Sequence, residues 1–400
     1  MKAFDLKLRG LIAPVLVVGV DNPSQLFSVY FNNWSYEIAP RGELLPFATL
    51  VFDGEQYLLK TNKADAPVPH ISPVNAVCDL VAAAARQRAD ERPGEMCLHA
   101  ASVRMGAALV VFPAIRRAGK SCLTMALAAK GFEVFGDDVL SVASCPGAPV
   151  TGKATGASIR MRLPLPQGLP GWMAEHIESC RGPSNRQYLY VSPPEIAANG
   201  QQAPIGALVH LERSGNAAAE ISPMSPGIML KSLLKQNFAR SANADHILGD
   251  LFGLAENTPA FLMRYSNIEE AVDVLVEQFH AQGIPGACVQ NRRAREISEI
   301  TEIPSGVEVA LCQDPTTVVR ELGGEIFATN RNLTRVLHLN EGAGRIWNLL
   351  EEPTSEAEAV EILHTAFPDA PYAELEADTR NMFQNLKRAG LLVVAGSRDT

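Results

Sequence analysis

Hydrophobic and polar positions follow strand and helix periods through the middle of this 400-residue chain. A nearly continuous apolar run at 107–112 predicts a buried strand, and 121–130 has the spacing of a helix, which Gly131 ends as a C-cap. A second short strand is predicted at 132–135, and a further one at 139–142 follows two carboxylates. Strand, loop, helix and strand in this order indicate an α/β unit.

The first 92 residues predict an accessory region without chemistry of its own. The apolar run 11–20 indicates a strand, 44–59 indicates two strands around the turn Asp53–Gly54, and 72–88 indicates a helix. Because the run 11–20 is shorter than the ~18–20 residues of a membrane span and contains a proline, we interpret it as a strand rather than a signal peptide.

Beyond the central unit, predicted strands and helices continue to alternate as far as residue 290. The predicted segments are strands at 157–164, 187–190, 205–211 and 261–265, helices at 228–238 and 268–282, a loop at 181–185 and a hairpin turn at 212–216. A charged stretch and Pro304 then indicate a linker. The pattern therefore predicts three parts, at 1–92, 93–290 and 305–396.

The last part has a different order of elements. Its predicted strands lie at 308–312, 317–322, 326–329 and 336–339, followed by three short helices and a closing strand at 391–394. Asn340 is predicted to cap the first helix, Thr354 or Ser355 the second, which reaches about Phe367, and the third runs over 372–388 and ends at Gly390. This order is typical of a small winged-helix-like domain.

Composition and charge narrow the classes of function. With 47% hydrophobic and 20% charged residues the chain is globular, and its net charge of −9 argues against general binding to nucleic acid or anionic membranes. No apolar run has the length of a membrane span. The seven cysteines are scattered and form no C-x-x-C pair, which predicts reduced thiols in a cytoplasmic protein and no structural zinc.

Candidate chemistry begins at Gly119, Lys120 and Ser121, between the predicted strand and helix of the central unit. A strand, a loop ending in Gly-Lys-Ser, a helix and then a strand ending in Asp is the order of a phosphate-binding P-loop. Lys120 is expected to reach the outer phosphates of ATP, and Ser121 and Asp137 are expected to ligate Mg²⁺. The predicted nucleotide-binding residues are Arg117, Ala118, Gly119, Lys120, Ser121 and Cys122.

The loop departs from the P-loop pattern, which has Gly where this chain has Ala114. Arg116 and Arg117 also lie inside the loop, either in contact with phosphate or solvated. Two hypotheses therefore stay open from the residues: a nucleotide-binding loop, or a vestigial one.

The central stretch resembles the HPr kinase/phosphorylase family, whose core resembles phosphoenolpyruvate carboxykinase. The matching residues are Leu98-His99-Ala100-Ala101-Ser102, Ala118-Gly119-Lys120-Ser121, Lys130-Gly131-Phe132 and Gly136-Asp137-Asp138. The resemblance implies that His99 lies near the nucleotide, and that of Asp137 and Asp138 one binds metal while the other acts as base toward an acceptor hydroxyl. The family's acidic signature loop has no clear counterpart here.

Arg160 and Arg162 share one face of the strand predicted after the two carboxylates, because side chains alternate along a strand. They are either a polar outer face or a contact to phosphate or acceptor, and the sequence does not decide between these hypotheses. The histidines other than His99 show no metal-ligand spacing, and we interpret them as structural or exposed.

The last part resembles the PqqD family of peptide chaperones. The matching stretches are Leu339-Asn340-Glu341, Ile346-Trp347, Leu350 and Leu386-Lys387-Arg388-Ala389-Gly390-Leu391-Leu392. The resemblance implies binding of the leader segment of a ribosomally made precursor peptide as an added strand. Candidates for the groove are the edge strands around 318–322 or 336–339 and the helix 372–388. DNA binding is the alternative, and the acidic charge of this part counts against it.

Together these observations predict an α/β protein with an accessory region, a P-loop HPr kinase-like core and a winged-helix-like PqqD-type domain. The expected activity is ATP- and Mg²⁺-dependent phosphorylation of a Ser or Thr hydroxyl on a precursor peptide. The alternative is a non-catalytic adaptor that delivers the peptide to another modifying enzyme. The resemblance to HPr kinases, which form oligomers, also makes a homo-oligomer a hypothesis.

Overall fold

A computed structural model describes residues 2–92, 94–113, 118–144, 148–215, 218–237, 244–281, 283, 310–330 and 336–394. The chain divides into two compact units. The first comprises Met1–Ser225, Ser232–Arg240 and Leu254–Asn291, and the second comprises Pro226–Lys231, Ser241–Gly253 and Arg292–Thr400. Within the described ranges, no helix combines the length and the apolar character that a membrane crossing requires.

The described residues form a mixed α/β protein. Its strands are β1 Ala3–Leu8, β2 Val15–Val18, β3 Tyr36–Pro40, β4 Ala48–Phe52, β5 Tyr57–Thr61, β6 Val68–His70, β7 Glu95–Leu98, β8 Ala101–Met105, β9 Ala108–Phe112, β10 Glu133–Gly136, β11 Leu140–Ala143, β12 Thr151–Lys153, β13 Ile159–Arg162, β14 Arg181–Ser184, β15 Tyr188–Val191, β16 Gln202–Arg213, β17 Glu220–Pro223, β18 Ala260–Tyr265, β19 Leu311–Gln313, β20 Thr317–Leu322, β21 Glu325–Asn330, β22 Leu337–Leu339 and β23 Leu392–Val394. Its helices are α1 Pro23–Ser28, α2 Pro73–Glu91, α3 Lys120–Ala129, α4 Gly171–Ser179, α5 Pro226–Gln236, α6 Ala244–Asn257, α7 Ile268–Val276, α8 Glu341–Leu349, α9 Glu356–Ala366 and α10 Tyr372–Arg388, with a π-helical turn at Glu277–Ala281.

The N-terminal region is a six-stranded sheet in the order β3-β1-β2-β4-β5-β6, packed against α1 and α2. The predicted hairpin of β4 and β5 is confirmed, and its turn is held by Asp53, whose carboxylate accepts bonds from the backbone amides of Glu55 and Gln56. Helix α2 begins at an N-cap, Ser72, and buries an apolar stripe that includes Val77 and Leu80. This burial of one helix face is what the sequence spacing predicts.

The central sheet is built around three parallel strands, β9, β16 and β18. Strand β16 is twelve residues long and pairs in turn with β12, β9 and β18 along its length. Strand β8 lies between β9 and β10, and α3 packs against this part of the sheet through Leu123, Met125 and Leu127, which are fully buried. Because parallel strands present their carboxyl ends at one edge, the ends of β9 and β18 lie beside the start of α3.

Two predictions for this region are wrong. The hairpin predicted around 212–216 is absent from the described residues, because β16 runs on to Arg213 and β17 pairs with β18 instead of returning along β16. Residue 216 itself lies outside the described residues. Residues 181–185 are not simply a loop, since β14 pairs with β15 there. The helix predicted at 268–282 is confirmed as far as Ala281, because α7 is continued by a π-helical turn over Glu277–Ala281, and residue 282 lies outside the described residues.

In the second unit, β20, β21 and β22 form an antiparallel sheet, and β19 pairs with β23. Helices α8, α9 and α10 cover one face of the sheet around Trp347 and Phe383. Asn340 caps α8 as predicted, and of the two candidate caps for α9 it is Ser355 whose hydroxyl accepts a bond from the Glu358 amide.

The other face of this sheet carries Arg320 on β20 and its cross-strand partner Phe327, which is fully buried. The Arg320 guanidinium donates to Asp245 at 3.3 Å and lies 5.8 Å from the ring of Phe252, both on α6. At the end of β20, a Cβ placed on Gly227 would lie 2.2 Å from the carbonyl oxygen of Leu322. The helical stretches 226–231 and 244–253 are therefore packing elements of the second unit.

Candidate functional site

The loop that follows β9 enters α3 through a backbone position that only glycine fits. Gly119 is the N-cap of α3 and has a φ of 93°, which is left-handed. A Cβ there would lie 2.2 Å from the hydroxyl oxygen of Tyr265, the last residue of β18. That hydroxyl donates to the carbonyl of Ala118 at 2.8 Å, and burial raises the pKa of Tyr265 to about 12. Because it stays protonated, Tyr265 fixes the path of the chain into α3.

The first turn of α3 presents Lys120 and Ser121. Lys120 is buried, with 7% of its surface exposed. The Gly119 cap supplies no side-chain acceptor to the start of the helix. Backbone N–H groups at a helix start lack intrahelical partners, and the helix dipole favours negative charge there. This end of α3 is therefore suited to an anion.

Asp137 follows the end of β10 and is buried, with 7% exposed. Its Oδ2 accepts from the Ser121 hydroxyl at 3.2 Å and from the backbone amide of Arg160 at 3.0 Å. Burial, followed in size of effect by the charge of Asp138, raises the pKa of Asp137 to about 7. A cation near this carboxylate would remove the penalty that burial imposes on its charged form.

Two side chains donate hydrogen bonds to Asp138, the imidazole of His99 and the guanidinium of Arg160. His99 Nε2 donates to its Oδ1 at 2.8 Å, and the Arg160 guanidinium donates to its Oδ2. Burial alone would raise the pKa of Asp138, but the bond from His99 and the charge of Arg160 hold that pKa below its ordinary value. Its side chain is 30% exposed, so the ionised carboxylate faces solvent beside these donors.

His99 lies in the short connection between β7 and β8, where its backbone amide donates to the carbonyl of Gln236 at 2.7 Å. Nearby, the buried hydroxyl of Ser232 donates to the carbonyl of Pro113, the residue that follows β9. The second half of α5 therefore fixes both the backbone of His99 and the start of the loop that leads to α3.

Arg160 extends the site toward the N-terminal region. Its guanidinium contacts the thiol of Cys78 on α2 and lies 4.8 Å from the ring of Tyr188 on β15. The guanidinium of Arg162 lies over the same ring at 5.7 Å. Burial raises the pKa of the Cys78 thiol to about 11, so it contacts Arg160 as a neutral group.

The structure brings most of the predicted site residues together. His99, Ser121, Asp137 and Asp138 are joined in one network by way of Arg160. Cys122 lies half-buried in α3, and Ala118 contributes a carbonyl that Tyr265 already occupies. Arg117, with Ala114 and Arg116, lies outside the described residues.

Sequence reasoning missed three residues that border this network: Cys78, Tyr188 and Tyr265. It also left the role of Arg160 open, although the alternation of Arg160 and Arg162 was the signal that pointed to it. The missed residues lie on α2, β15 and β18, which are distant in sequence from the central stretch, so no local pattern connects them to it.

The donor set fits Mg²⁺ with a nucleotide better than a metal bound by protein alone. Ser121 and Asp137 offer two oxygen atoms, and Mg²⁺ is commonly bound by one or two such ligands together with substrate phosphates. Among the described residues, no group of three His, Cys, Asp or Glu side chains is placed to hold a metal ion. The protein would therefore supply part of the coordination, and phosphate oxygens the rest.

Comparison with known proteins identifies one domain directly. Residues 325–392 match the family described as Coenzyme PQQ synthesis protein D (PqqD), which confirms the predicted resemblance of the last part of the chain. This mixed α/β protein thus carries a PqqD domain near its C-terminal end.

Two solved structures are similar to parts of the chain. One is TbiB1 in complex with the TbiA(beta) leader peptide, with 23% identity and a TM-score of 0.19, covering 22% of this chain and 99% of that one. The other is the Hpr(Ser) kinase/phosphatase from Coxiella burnetii, with 15% identity and a TM-score of 0.25, covering 46% of this chain and 94% of that one. No curated protein matches the chain.

Proposed function

We propose that the protein is an ATP- and Mg²⁺-dependent kinase that phosphorylates a Ser or Thr hydroxyl of a ribosomally made precursor peptide, which its PqqD domain recruits. One observation carries the proposal. The hydroxyl of Ser121, at the start of α3, bonds at 3.2 Å to the first of two adjacent carboxylates, while the second is held by His99 and Arg160. A phosphate-binding helix start and a pair of carboxylates with different environments are the parts that phosphoryl transfer needs.

The phosphate side is the N-terminus of α3. Lys120 supplies a fixed positive charge, and the amides of the first turn supply donors for phosphate oxygens. Gly119 allows the backbone to turn closely into the helix, and Tyr265 keeps that turn in one position. In this proposal these residues bind and orient the nucleotide without taking part in covalent chemistry.

The metal side is Ser121 with Asp137. Mg²⁺ bound there would neutralise part of the charge on the phosphates. Asp137 would hold it in the ionised form, and the positive charge of the metal would oppose the burial and the charge of Asp138 that raise the pKa of this carboxyl. The bond from the Arg160 amide to the same Oδ2 holds the carboxylate toward Ser121.

The acceptor side is Asp138. Its lowered pKa keeps it ionised at neutral pH, and each of its oxygens has a second lone pair beyond the bond to His99 or Arg160. An acceptor hydroxyl donating to this carboxylate would be oriented for attack on the γ-phosphorus of ATP. Its proton would pass to Asp138 as the new P–O bond forms and the bond from the γ-phosphorus to the bridging oxygen breaks, with ADP as the leaving group. His99 orients Asp138 and stabilises its charge.

Recruitment of the peptide is assigned to the PqqD domain, whose sheet has two edge strands, β20 and β22. Helical stretches of the same unit approach β20 at Arg320 and at Leu322. Strand β22 is therefore the better candidate for pairing with a leader segment, next to the helices that cover the sheet. Of the two edges that the sequence suggested, packing favours 336–339.

The adaptor alternative has one observation in its favour. Arg160 already pairs with Asp138, and this ion pair competes with an acceptor hydroxyl for the carboxylate. In an adaptor the same network would only support a bound nucleotide. The loop residues that first motivated this alternative, 114–117, lie outside the described residues, so it rests on the ion pair alone.

Two measurements test the proposal. Calorimetry of Mg-ATP binding is expected to show heat for the wild type and for Lys130→Ala, at the other end of α3, and none for Lys120→Ala. ADP release and the mass of a candidate precursor peptide are then followed with wild type and Asp138→Asn. Peptide-stimulated release with a phosphorylated product, lost in Asp138→Asn, supports the kinase. Nucleotide binding without turnover in wild type or Asp138→Asn supports the adaptor. Equal heats for wild type, Lys130→Ala and Lys120→Ala refute both the kinase and the adaptor.

A further inference from the structure

We propose that Arg162 and Tyr188 form a subsite for an acidic side chain of the acceptor peptide, two residues away from the hydroxyl that is phosphorylated. The inference deepens the proposed function and rests on it for the position of the hydroxyl at Asp138. It assigns a specificity-determining role to two residues that lie beside the catalytic network and do not belong to it.

The small sheet of β13, β15 and β14 places these residues on one face. In the register of β13 and β15, Arg160 is opposite Tyr190 and Arg162 is opposite Tyr188. The intervening residue, Met161, is fully buried in the core on the other face. Arg160, bound to Asp138, and Arg162 therefore follow one another along the same surface.

The two arginines differ in whether an acidic side chain pairs with them. Arg160 is paired with Asp138, whereas Arg162 has no ion pair within the part of the chain that the structure describes. The strands of this sheet, with sequences IRMR, YLYV and RGPS, contain no acidic residue. The third arginine of these strands, Arg181, pairs with Glu178 on α4. Arg162 is thus an exposed positive charge beside the proposed acceptor position.

Tyr188 prepares the Arg162 guanidinium for binding. A guanidinium over an aromatic ring is held by cation–π attraction, so less rotational freedom is lost when an anion binds. The free edge of the guanidinium can then bind a carboxylate through two parallel N–H donors. A solvated surface arginine without such a ring would have to be ordered first.

The spacing determines where the acidic residue belongs. Residues two apart on a strand are about 6.6 Å apart along it, and so are residues two apart in an extended peptide. A hydroxyl at Asp138 therefore places a side chain two positions away near Arg162. The backbone of β13 meets Asp137 at Arg160, and Arg162 lies two residues beyond that point. We therefore assign Arg162 to binding of the acceptor peptide and not of the nucleotide.

The test uses two capped pentapeptides, acetyl-Asp-Gly-Ser-Gly-Asp-amide and acetyl-Asn-Gly-Ser-Gly-Asn-amide, which cover both chain directions. Their dissociation constants are measured by calorimetry on the full-length protein with Mg-ADP present. The wild type is expected to bind the acidic peptide roughly threefold to tenfold more tightly, the range for a partly exposed charge pair with good geometry. Arg162→Gln should abolish this ratio, and Arg181→Gln, on the same sheet, should keep it.

The outcomes separate this inference from the proposed function. Equal affinities for the two peptides in the wild type, or a preference that survives in Arg162→Gln, would overturn the subsite. Weaker Mg-ATP binding by Arg162→Gln without peptide would overturn it as well, because the arginine would then serve the nucleotide. An acidic preference that depends on Arg162, in a protein that transfers no phosphate to its precursor peptide, supports the subsite and refutes the kinase.

Discussion

Replacement of Gly119 by alanine tests how the structure holds the entry into α3. The substitution acts in two ways, which the geometry separates. An L-residue at a φ of 93° is strained, and the new Cβ would lie 2.2 Å from the Tyr265 hydroxyl oxygen but 3.4 Å from the ring carbon that bears it. Because the hydroxyl oxygen is bonded rigidly to the ring, the whole Tyr265 side chain must shift, whereas a phenylalanine ring at this position could remain in place.

The magnitude follows from these two effects. Left-handed strain for a non-glycine residue costs about 1–2 kcal/mol. Displacing the hydroxyl breaks its buried bond to the Ala118 carbonyl, which costs about 1–3 kcal/mol more. Gly119→Ala should thus lower the free energy of unfolding by about 2–5 kcal/mol. In a Tyr265→Phe background only the strain remains, so the same substitution should cost about 1–2 kcal/mol.

The assay is a double-mutant cycle read by urea unfolding. Because the chain has two compact units, its unfolding need not be a single transition. We therefore place all four proteins in a Trp347→Phe background, where the fluorescence comes from Trp34 and Trp172, both in the first unit. The cycle should give a coupling energy of about 1–3 kcal/mol between the two substitutions.

Two results would refute this reasoning. If Gly119→Ala costs the same in both backgrounds, the Tyr265 hydroxyl does not restrict the space beside residue 119. If it costs less than about 1 kcal/mol in both, the left-handed conformation of Gly119 is itself wrong.

Three further predictions concern single side chains. Because the pKa of Asp137 is raised from its ordinary value of 3.8 to about 7, the folded metal-free protein binds more protons than the unfolded chain between these two pH values, and the free energy of unfolding should fall as pH rises through this window. Asp137→Asn should flatten this fall and stabilise the metal-free protein at pH 8. Urea unfolding across pH measures both effects. Arg160→Gln removes a charge that lowers the pKa of Asp138, so the acid limb of the kcat/KM profile should move to higher pH, and an unchanged limb would contradict the proposed role of Asp138. Asn340→Ala removes the cap that accepts from the Ala343 amide and should destabilise the second unit by about 1 kcal/mol, whereas Asn340→Ser should retain most of that stability.

The local order of the central stretch was predictable from sequence because it depends on short-range signals. Strand β9, helix α3 and strand β10 lie within one or two residues of their predicted bounds. The positive φ of Gly131 and the cap at Asn340 are likewise set by neighbouring residues. Periodicity and capping act over a few residues, and a sequence shows them directly.

The contacts that complete the site were not predictable in the same way. Tyr265 bonds to a carbonyl 147 residues away, and Arg160 meets a thiol 82 residues away. The hairpin predicted after β16 failed for a related reason: turn-forming residues at 212–216 fit a hairpin locally, but the parallel pairing of β16 with β18 leaves β17 on the far side of β18. Strand neighbours are chosen by the whole sheet, and a single sequence does not reveal that choice.

The helical stretches 226–231 and 244–253 determine where this protein can be truncated. They belong to the second unit although they lie well before the residues that match PqqD. A truncation near residue 305 would remove the helix that meets Arg320, on the face of the sheet that also carries the buried side chain of Phe327. We expect such a fragment to aggregate, since a large apolar face without a partner is a liability in solution. A chimera that exchanges the second unit would thus have to carry three separate stretches of chain together.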